Sequence, residues 1–416
     1  MRLVFGLGRS GLGVLRYLAA KGLPARFFDE QPQPAEIDEA LRLGFLPADP
    51  KEFYQEVIAA PGIPLTHPLL QRLRTQGADI FGEAELAYRH SSTPIVGITG
   101  TAGKSTTTVL TAHFLRALGF QAQEGGNLDP PLVSIIDQAE VAVAELSSFQ
   151  LERVVRFRPR VAVLLNLGVD HLDRHGSVEA YHQAKLNLIR HLQPEDALVY
   201  NQADPAILKG IEGSPARRFP FTPGSPWESN LRAALEAARA FALLQGRSVD
   251  PGHLEAAIAT APRLPGRFEP FARKGSLVFI DDSIATRLNA VEAALKAAPP
   301  PVGWILGGVD KGAPLEPLIP LVRERVGLIL ALGRDGPRMA EVFAPWVEVL
   351  LLPPQGAEAL HMAIEEALKR PLRSLLLAPL AASFDQFRDY KERSTLFRQA
   401  ALAAGAEPSE ALWTPS

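Results

Sequence analysis

Gly97-Ile98-Thr99-Gly100-Thr101-Ala102-Gly103-Lys104-Ser105-Thr106 continues an apolar run that begins at Ile95 and precedes a helical pattern reaching about Leu118. Glycines in such a loop let backbone N–H groups turn inward around phosphate oxygens, and the N-terminus of the following helix adds positive potential there. Lys104 is the cation for the terminal phosphates, and Ser105 or Thr106 the hydroxyl for Mg²⁺. The general phosphate-loop pattern has a glycine where Ile98 stands, so the generic motif fits only from Gly103 onward. A glycine turn with a chance lysine is the competing reading, and the strand before and helix after it favour phosphate.

Outward from this loop, short β-rich apolar runs alternate with Ala/Leu/Arg-rich stretches along the whole chain. That alternation predicts an α/β fold of mostly parallel sheets with crossover helices. At roughly 150 residues per domain, 416 residues make two or three domains. The polar, proline-ended break Ser91-Ser92-Thr93-Pro94 and the loss of helical pattern at Ala261-Pro262-Arg263-Leu264-Pro265-Gly266 divide the chain into three. These are a Rossmann-like domain over 1–91, a central P-loop ATPase domain over 92–263 and a Rossmann-like C-terminal domain over 264–416. Strands are predicted at Leu3 to Phe5, Ala25 to Phe28, Ile95 to Thr99, Val141 to Leu146, Val161 to Leu167 and Ala197 to Asn201. A further set follows at Leu277 to Ile280, Val302 to Leu306, Leu328 to Leu332, Val347 to Leu351 and Ser374 to Ala378.

Composition narrows the function. With 47% hydrophobic and 21% charged residues and a formal net charge of -3, the chain reads as globular, with no polyanion-binding surface and no nucleic-acid partner. The absence of cysteine excludes disulfides, thiolate metal sites and cysteine nucleophiles. The apolar start, Met1 to Leu7, is too short for a signal peptide or a membrane span, so a cytoplasmic location and no membrane partner are expected; a monomer is the expected state, although no residue pattern decides it.

Gly6-Leu7-Gly8-Arg9-Ser10-Gly11 is a second glycine turn, and the strand after its helix ends in Asp29. By itself this is either a dinucleotide fingerprint with an acid for a ribose hydroxyl or a tight turn, and it supports an NAD-dependent oxidoreductase as an alternative. Glu145 ends an apolar run and is placed for Mg²⁺, while Ser147 or Ser148 beside it could instead cap a helix. His171, between Asp170 and Asp173 after another buried run, is a ligand candidate. Lys185, from spacing alone, reads as a solvated surface lysine.

The order of motifs resembles the Mur ligase family of peptidoglycan synthesis. Gly100-Thr101-x-Gly103-Lys104-Ser105-Thr106, Gly126-Asn127, Glu145-Leu146-Ser147-Ser148-Phe149-Gln150-Leu151, Asp170-His171-Leu172-Asp173-Arg174-His175 and Ala184-Lys185 carry the resemblance in the centre. Gly266-Arg267-Phe268-Glu269, Asp282-Ser283-x-Ala285-Thr286, Gly307-Gly308-x-Asp310-Lys311-Gly312 and Ser383-Phe384-Asp385-Gln386-Phe387 carry it to the C-terminal region. The paired serines, the N-terminal glycine turn and Pro61-Gly62-Ile63 are most similar to the D-glutamate-adding branch.

The resemblance implies an ATP-dependent ligase that joins D-glutamate to UDP-MurNAc-L-Ala through an acyl phosphate. It places Gly8, Arg9 and Ser10 at the pyrophosphate and Asp29 near the uridine. Gly100, Thr101, Gly103, Lys104, Ser105 and Thr106 hold ATP phosphates, with Asn230 near the adenine and Arg267, Asp282 and Asp310 closing on ATP. Asn127, Ser147 and His171 lie towards the acceptor; Ser105, Glu145, His171 and Lys185, the last carbamylated by CO₂, hold two Mg²⁺ ions. Lys104, Glu145, His171 and Lys185 are thus the implied catalytic set, and Thr286, Lys311, Ser383, Phe384 and Tyr390 surround D-glutamate. The chain departs from the family pattern at Ala102, Asp129, Gly168-Val169, Arg287 and Ile284, where a lysine near D-glutamate is missing; Arg287 or Lys311 are the cations available in its place. Another Mur-type or folylpolyglutamate-type ligase would share ATP turnover with a different acceptor.

Overall fold

The computed structural model describes residues 1–310, 312 and 314–408. The chain divides into two compact units, Met1–Pro262 and the part from Arg263 onward. Two sheets lie in the first unit and one in the second.

In the first sheet five parallel strands run in the order Leu46–Pro47, Ala25–Phe28, Arg2–Phe5, Glu56–Ala59 and Asp79–Phe81. Leu3, Val4, Phe5, Val57, Ile58 and Ala59 are all buried, the unbroken apolar run that a sheet covered on both faces requires. Because the first strand is central, its glycine turn opens where the strand order reverses, and such switch points hold ligands in open α/β sheets.

The second sheet has six parallel strands in the order Arg217–Phe221, Ala197–Asn201, Val161–Leu164, Ile95–Thr99, Val141–Glu145 and Ala122–Gly126. Its reversal falls beside Ile95–Thr99, so the phosphate loop emerges between the ends of the Val141–Glu145 and Val161–Leu164 strands. Both of those strands stop short of the predicted Leu146 and Leu167, since the chain leaves the ladder to line the crevice.

Seven strands form the third sheet, in the order Val349–Leu351, Val326–Leu332, Val302–Gly307, Ser374–Leu377, Leu277–Asp281, Glu269–Lys274 and Glu407–Pro408. The first five are parallel; Glu269–Lys274 turns back antiparallel through Gly275 and pairs with Glu407–Pro408 on its other side. Among the described residues no helix is long and apolar enough to cross a membrane.

Within the first unit, the helix Glu83–His90 fastens one sheet to the other. Glu85 is 0% exposed, and its carboxylate accepts the backbone N–H groups of Val155, Arg156 and Phe157 at 2.8–3.0 Å and Nε of Arg89 at 2.8 Å. Glu83, two residues earlier, accepts the Val133 N–H at 2.7 Å, and burial pushes its carboxyl up to about 7 against the pull of that bond and of Arg9. Removing the Glu85 carboxylate takes the acceptor from three backbone donors, that of Phe157 buried, and leaves Arg89 with Asp79 alone. Glu85→Ala is expected to lose about 3 kcal/mol of unfolding free energy and Glu85→Gln less, measured by urea denaturation of the full chain. Wild-type stability in Glu85→Ala would remove this fastening role.

Candidate active site

The phosphate loop is tight because its own geometry demands glycine. Gly103 caps the helix Lys104–Ala117 with φ 83°, and a Cβ there would lie 2.2 Å from Oδ1 of Asn230. Asn230, near the start of the helix Pro226–Leu244, also accepts from the Thr107 hydroxyl at 3.3 Å, so it stands beside the loop in this structure. Ser105 and Thr106 are buried in the first turn. Lys104 Nζ donates to the carbonyls of Gly100 and Thr101 at 2.9 and 3.0 Å, a cation folded back over the loop. Asn166 staples the loop from the neighbouring strand end, accepting from Ala102 N at 2.8 Å and donating to Ala102 O at 3.1 Å. Both bonds use the main chain of residue 102, so the side chain missing at Ala102 is not needed for them.

Glu145 ends its strand 3% exposed. One carboxylate oxygen accepts from Asn127 Nδ2 at 2.7 Å, and the other is buried with no hydrogen-bond partner. Ser147 caps the short helix Ser148–Leu151 in a reciprocal pair with Gln150, so the capping alternative holds for this serine while Glu145 is left out of it. A buried carboxylate with a bare oxygen is costly unless a cation or donor comes to it.

Lys185 is not a solvated surface lysine: it is 1% exposed. The helix Val178–Leu186 turns Tyr181, Ala184 and Lys185 inward. Nζ of Lys185 donates to Gly100 O at 2.7 Å and lies 4.6 Å from the Tyr181 ring centroid. Burial, then the charge of Lys104, push this amine down to about 6, against the opposing pull of Glu145. Tyr181, unremarked in the sequence, donates its hydroxyl to Thr101 Oγ1 at 3.2 Å and so ties the lysine helix to the phosphate loop. His171 occupies the left-handed region at φ 52°, which favours glycine, and its ring sits 4.5 Å from that of Phe149 and 6.3 Å from that of Tyr181. Strained backbone at a polar crevice residue is a recurring mark of function.

At the first sheet, Gly8 caps the helix Arg9–Ala20 and faces open space, while Ser10 is half-buried. Asp29 accepts the N–H groups of Leu7 and Gln31 at 2.7 and 2.8 Å, so it shapes the turn. Arg9 crosses to the second sheet, where Nη2 donates to Asn127 O at 3.0 Å. Arg9 thus links the first glycine turn to Asn127, whose side chain in turn bonds Glu145.

In the second unit, Asp282, Thr286, Asp310 and Ser383 follow the carboxyl ends of parallel strands, whereas Arg267 precedes the antiparallel Glu269–Lys274. Asp282 is buried and accepts the Phe268 N–H at 3.1 Å; burial pushes its carboxyl up to about 7, with Asp281 adding and that bond and Arg267 opposing. Asp310 is paired with Arg338 at 2.5 Å and accepts from Gly312 N at 3.0 Å. Thr286 and Ile284 lie in the turn after Leu277–Asp281, and Arg287 caps the helix Leu288–Ala297. Ser383 is buried, Phe384 is 75% exposed and Tyr390 opens the helix Tyr390–Ala403. Lys311 lies outside the described residues.

Among the described residues no three His, Asp or Glu side chains converge as a ready-made cation cage. The bare oxygen of Glu145 is nevertheless a fitting ligand for a divalent ion, and the loop amides with Lys104 fit a phosphate chain.

Comparison with known proteins agrees with this layout. Residues 1–82 match the family described as Mur ligase MurD-like, N-terminal domain, and residues 98–224 the Mur ligase middle domain. A Thermus thermophilus protein, UDP-N-acetylmuramoylalanine--D-glutamate ligase, is 65% identical over 420 residues, covering 100% of both chains. A Deinococcus radiodurans protein of the same name is 47% identical, over 96% of this chain and 92% of its own. Among solved structures, MurF ligase from Thermotoga maritima in complex with ADP superposes with a TM-score of 0.58 at 18% identity, covering 89% of this chain and 92% of that one. A type C pseudomurein peptide ligase from Methanothermus fervidus gives 0.58 at 15%, covering 96% and 99%. With two family matches that together take in more than half of the sequence, and full-length relatives at this identity, the chain belongs to the Mur ligase family, among its MurD-like members.

Proposed function

We propose that this protein adds D-glutamate to UDP-N-acetylmuramoyl-L-alanine in peptidoglycan precursor synthesis, the γ-phosphoryl of ATP passing to the alanine carboxylate with release of ADP and the D-glutamate amine then expelling phosphate from the acyl phosphate. The observation that carries the reading is one crevice holding a phosphate loop, a buried carboxylate with a bare oxygen and a buried lysine amine, in a chain similar over its full length to ligases of that name. An NAD-dependent oxidoreductase would use the first glycine turn and leave this second crevice without a purpose.

Division of labour follows the three expected segments. We assign 1–91 to the sugar nucleotide, with Gly8, Arg9, Ser10 and Asp29 around its diphosphate and uridine. Segment 92–263 takes ATP on Gly100, Thr101, Gly103, Lys104, Ser105 and Thr106, with Asn230 beside the loop. Asn127, Ser147 and His171 face the acceptor. From 264 onward, Arg267, Asp282 and Asp310 belong to nucleotide contacts and Thr286, Lys311, Ser383, Phe384 and Tyr390 to D-glutamate. The substrates are small and water-soluble, which suits a single chain working in the cytoplasm.

Bound Mg²⁺, held by Ser105, Glu145, His171 and a carbamylated Lys185, would neutralise phosphate charge. The chain's own contribution is positional and electrostatic. Lys104 and the N-terminus of Lys104–Ala117 offset the negative charge that spreads over the transferring phosphoryl group. Asn127 orients Glu145 through its 2.7 Å bond. Lys185, whose amine is pushed down to about 6 by burial, can present a free electron pair near pH 7, the form that adds CO₂ with release of one N–H proton to solvent; the resulting anion suits a cation site where an ammonium would repel.

Three measurements test this. Phosphate release from ATP with UDP-MurNAc-L-Ala should require D-glutamate; release with another amino acid alone would reject the assignment. Lys185→Ala should lose activity by about a hundredfold or more and regain part of it with added short carboxylic acids, and full activity in Lys185→Ala would take Lys185 out of the site. The third is a stability profile. Lys185 has a folded pKa of about 6, far below that of an unfolded lysine. Between those values the unfolded chain holds the extra proton, so this residue's effect destabilises progressively as pH falls from the unfolded value towards about 6. In protein freed of CO₂, so that Lys185 is unmodified, Lys185→Met should therefore flatten the rise of stability with pH between 7 and 10; an unchanged slope would mean that the amine is not buried as a free base.

A further inference from the structure

Three consecutive carbonyls in the first sheet's Pro61-Gly62-Ile63 loop converge on one guanidinium. Arg174 donates through Nη2 to Pro61 O and Ile63 O at 3.3 and 3.0 Å and through Nη1 to Gly62 O at 3.3 Å. Arg153, whose side chain is 1% exposed, reaches the same loop with Nη2 on Pro61 O at 3.5 Å and on Ile63 O. Glu152 joins the two cations: Oε1 accepts from Arg174 at 2.6 Å and from Arg153 at 3.2 Å. Its other oxygen lies 3.9 Å from Nδ1 of His175, whose Nε2 meets Ser148 Oγ at 3.0 Å. Phe149 packs between, 5.1 Å from the Arg174 guanidinium and 4.5 Å from the His171 ring.

The short helix Leu172–His175 buries none of its residues, so apolar burial does not fix its place. Arg174 does, and it fixes the helix to a loop of the other sheet. That loop follows the carboxyl end of Glu56–Ala59, the strand paired with Arg2–Phe5 and hence next to the first glycine turn. The helix begins at His171, in the crevice of Glu145 and Lys185. A planar fork of five donors suits three carbonyls and a carboxylate at once, and an ammonium does not.

We propose that Arg174, backed by Glu152 and Arg153, is a positioning residue for the sugar-nucleotide substrate: it sets the loop on which that substrate lies at a fixed distance from the His171 segment where its carboxylate reacts. The proposal rests on the ligase reading above. Arg174 itself need not touch substrate, and its loss acts through the misplaced loop.

The test uses the full chain with Arg174→Met and Arg174→Lys. In phosphate-release assays Arg174→Met should raise KM for UDP-MurNAc-L-Ala about tenfold and Arg174→Lys about threefold, with KM for ATP within about twofold of wild type and kcat falling less than KM rises. Calorimetric titration with UDP-MurNAc-L-Ala, without ATP, should weaken by the same factors. An unchanged sugar-nucleotide KM in either folded variant, or equal rises in both KM values, would overturn the proposal. If Arg174→Met does not fold, Arg174→Lys decides on the same criteria. Wild-type protein that releases no phosphate with D-glutamate would count against the parent reading instead, and the calorimetric comparison would still decide the role of Arg174.

Discussion

Burial of the Lys185 amine against the Gly100 carbonyl is the contact from which the rest of the site follows. An ammonium taken out of water without a carboxylate in contact is disfavoured, so burial and then Lys104 push the amine down to about 6 beside the phosphate loop. Holding it there takes several independent supports. Ser177 caps the helix, accepting from Ala180 N at 3.1 Å, Tyr181 walls the amine and bonds Thr101, and Asn166 staples the loop from behind. The lysine is thus placed by the same bonds that shape the nucleotide site.

Two buried glutamates of the first unit show how structure and chemistry divide. Glu85 commits its carboxylate to three backbone donors and Arg89 and forms a rigid seam between sheets. Glu145 is as dry, yet only one of its oxygens is partnered. Burial alone does not mark an active-site acid; incomplete satisfaction at a strand end in a ligand crevice does. Asp282 in the second unit is likewise buried at a strand end, and burial pushes its carboxyl up to about 7.

Much of this was legible beforehand because the relevant elements are strong local signals. Ile95–Thr99 and Lys104–Ala117 follow from an apolar run, a glycine turn and a helical stretch. Short edge strands such as Leu46–Pro47, Ala122–Gly126 and Glu407–Pro408 carry no apolar alternation, and neighbouring strands impose them. The antiparallel return of Glu269–Lys274 was hidden for a similar reason, since its end reads only as a polar Lys-Gly-Ser turn. Spacing made Lys185 look solvated, although Tyr181, Ala184 and Lys185 do form an inward stripe at helical period. Arg153, Arg174 and Glu85 act across long sequence separations, and no local pattern reports which carbonyl or N–H a distant side chain will meet.

On the proposed function, the bare oxygen of Glu145 and a carbamylated Lys185 share a divalent cation beside the phosphate loop. Anomalous scattering from crystals grown with Mn²⁺ and an ATP analogue locates such an ion directly. A peak ligated by Glu145 and by density extending from Lys185 Nζ is expected. A peak bound elsewhere, with Glu145 still unligated and Lys185 an unmodified amine, would contradict this assignment.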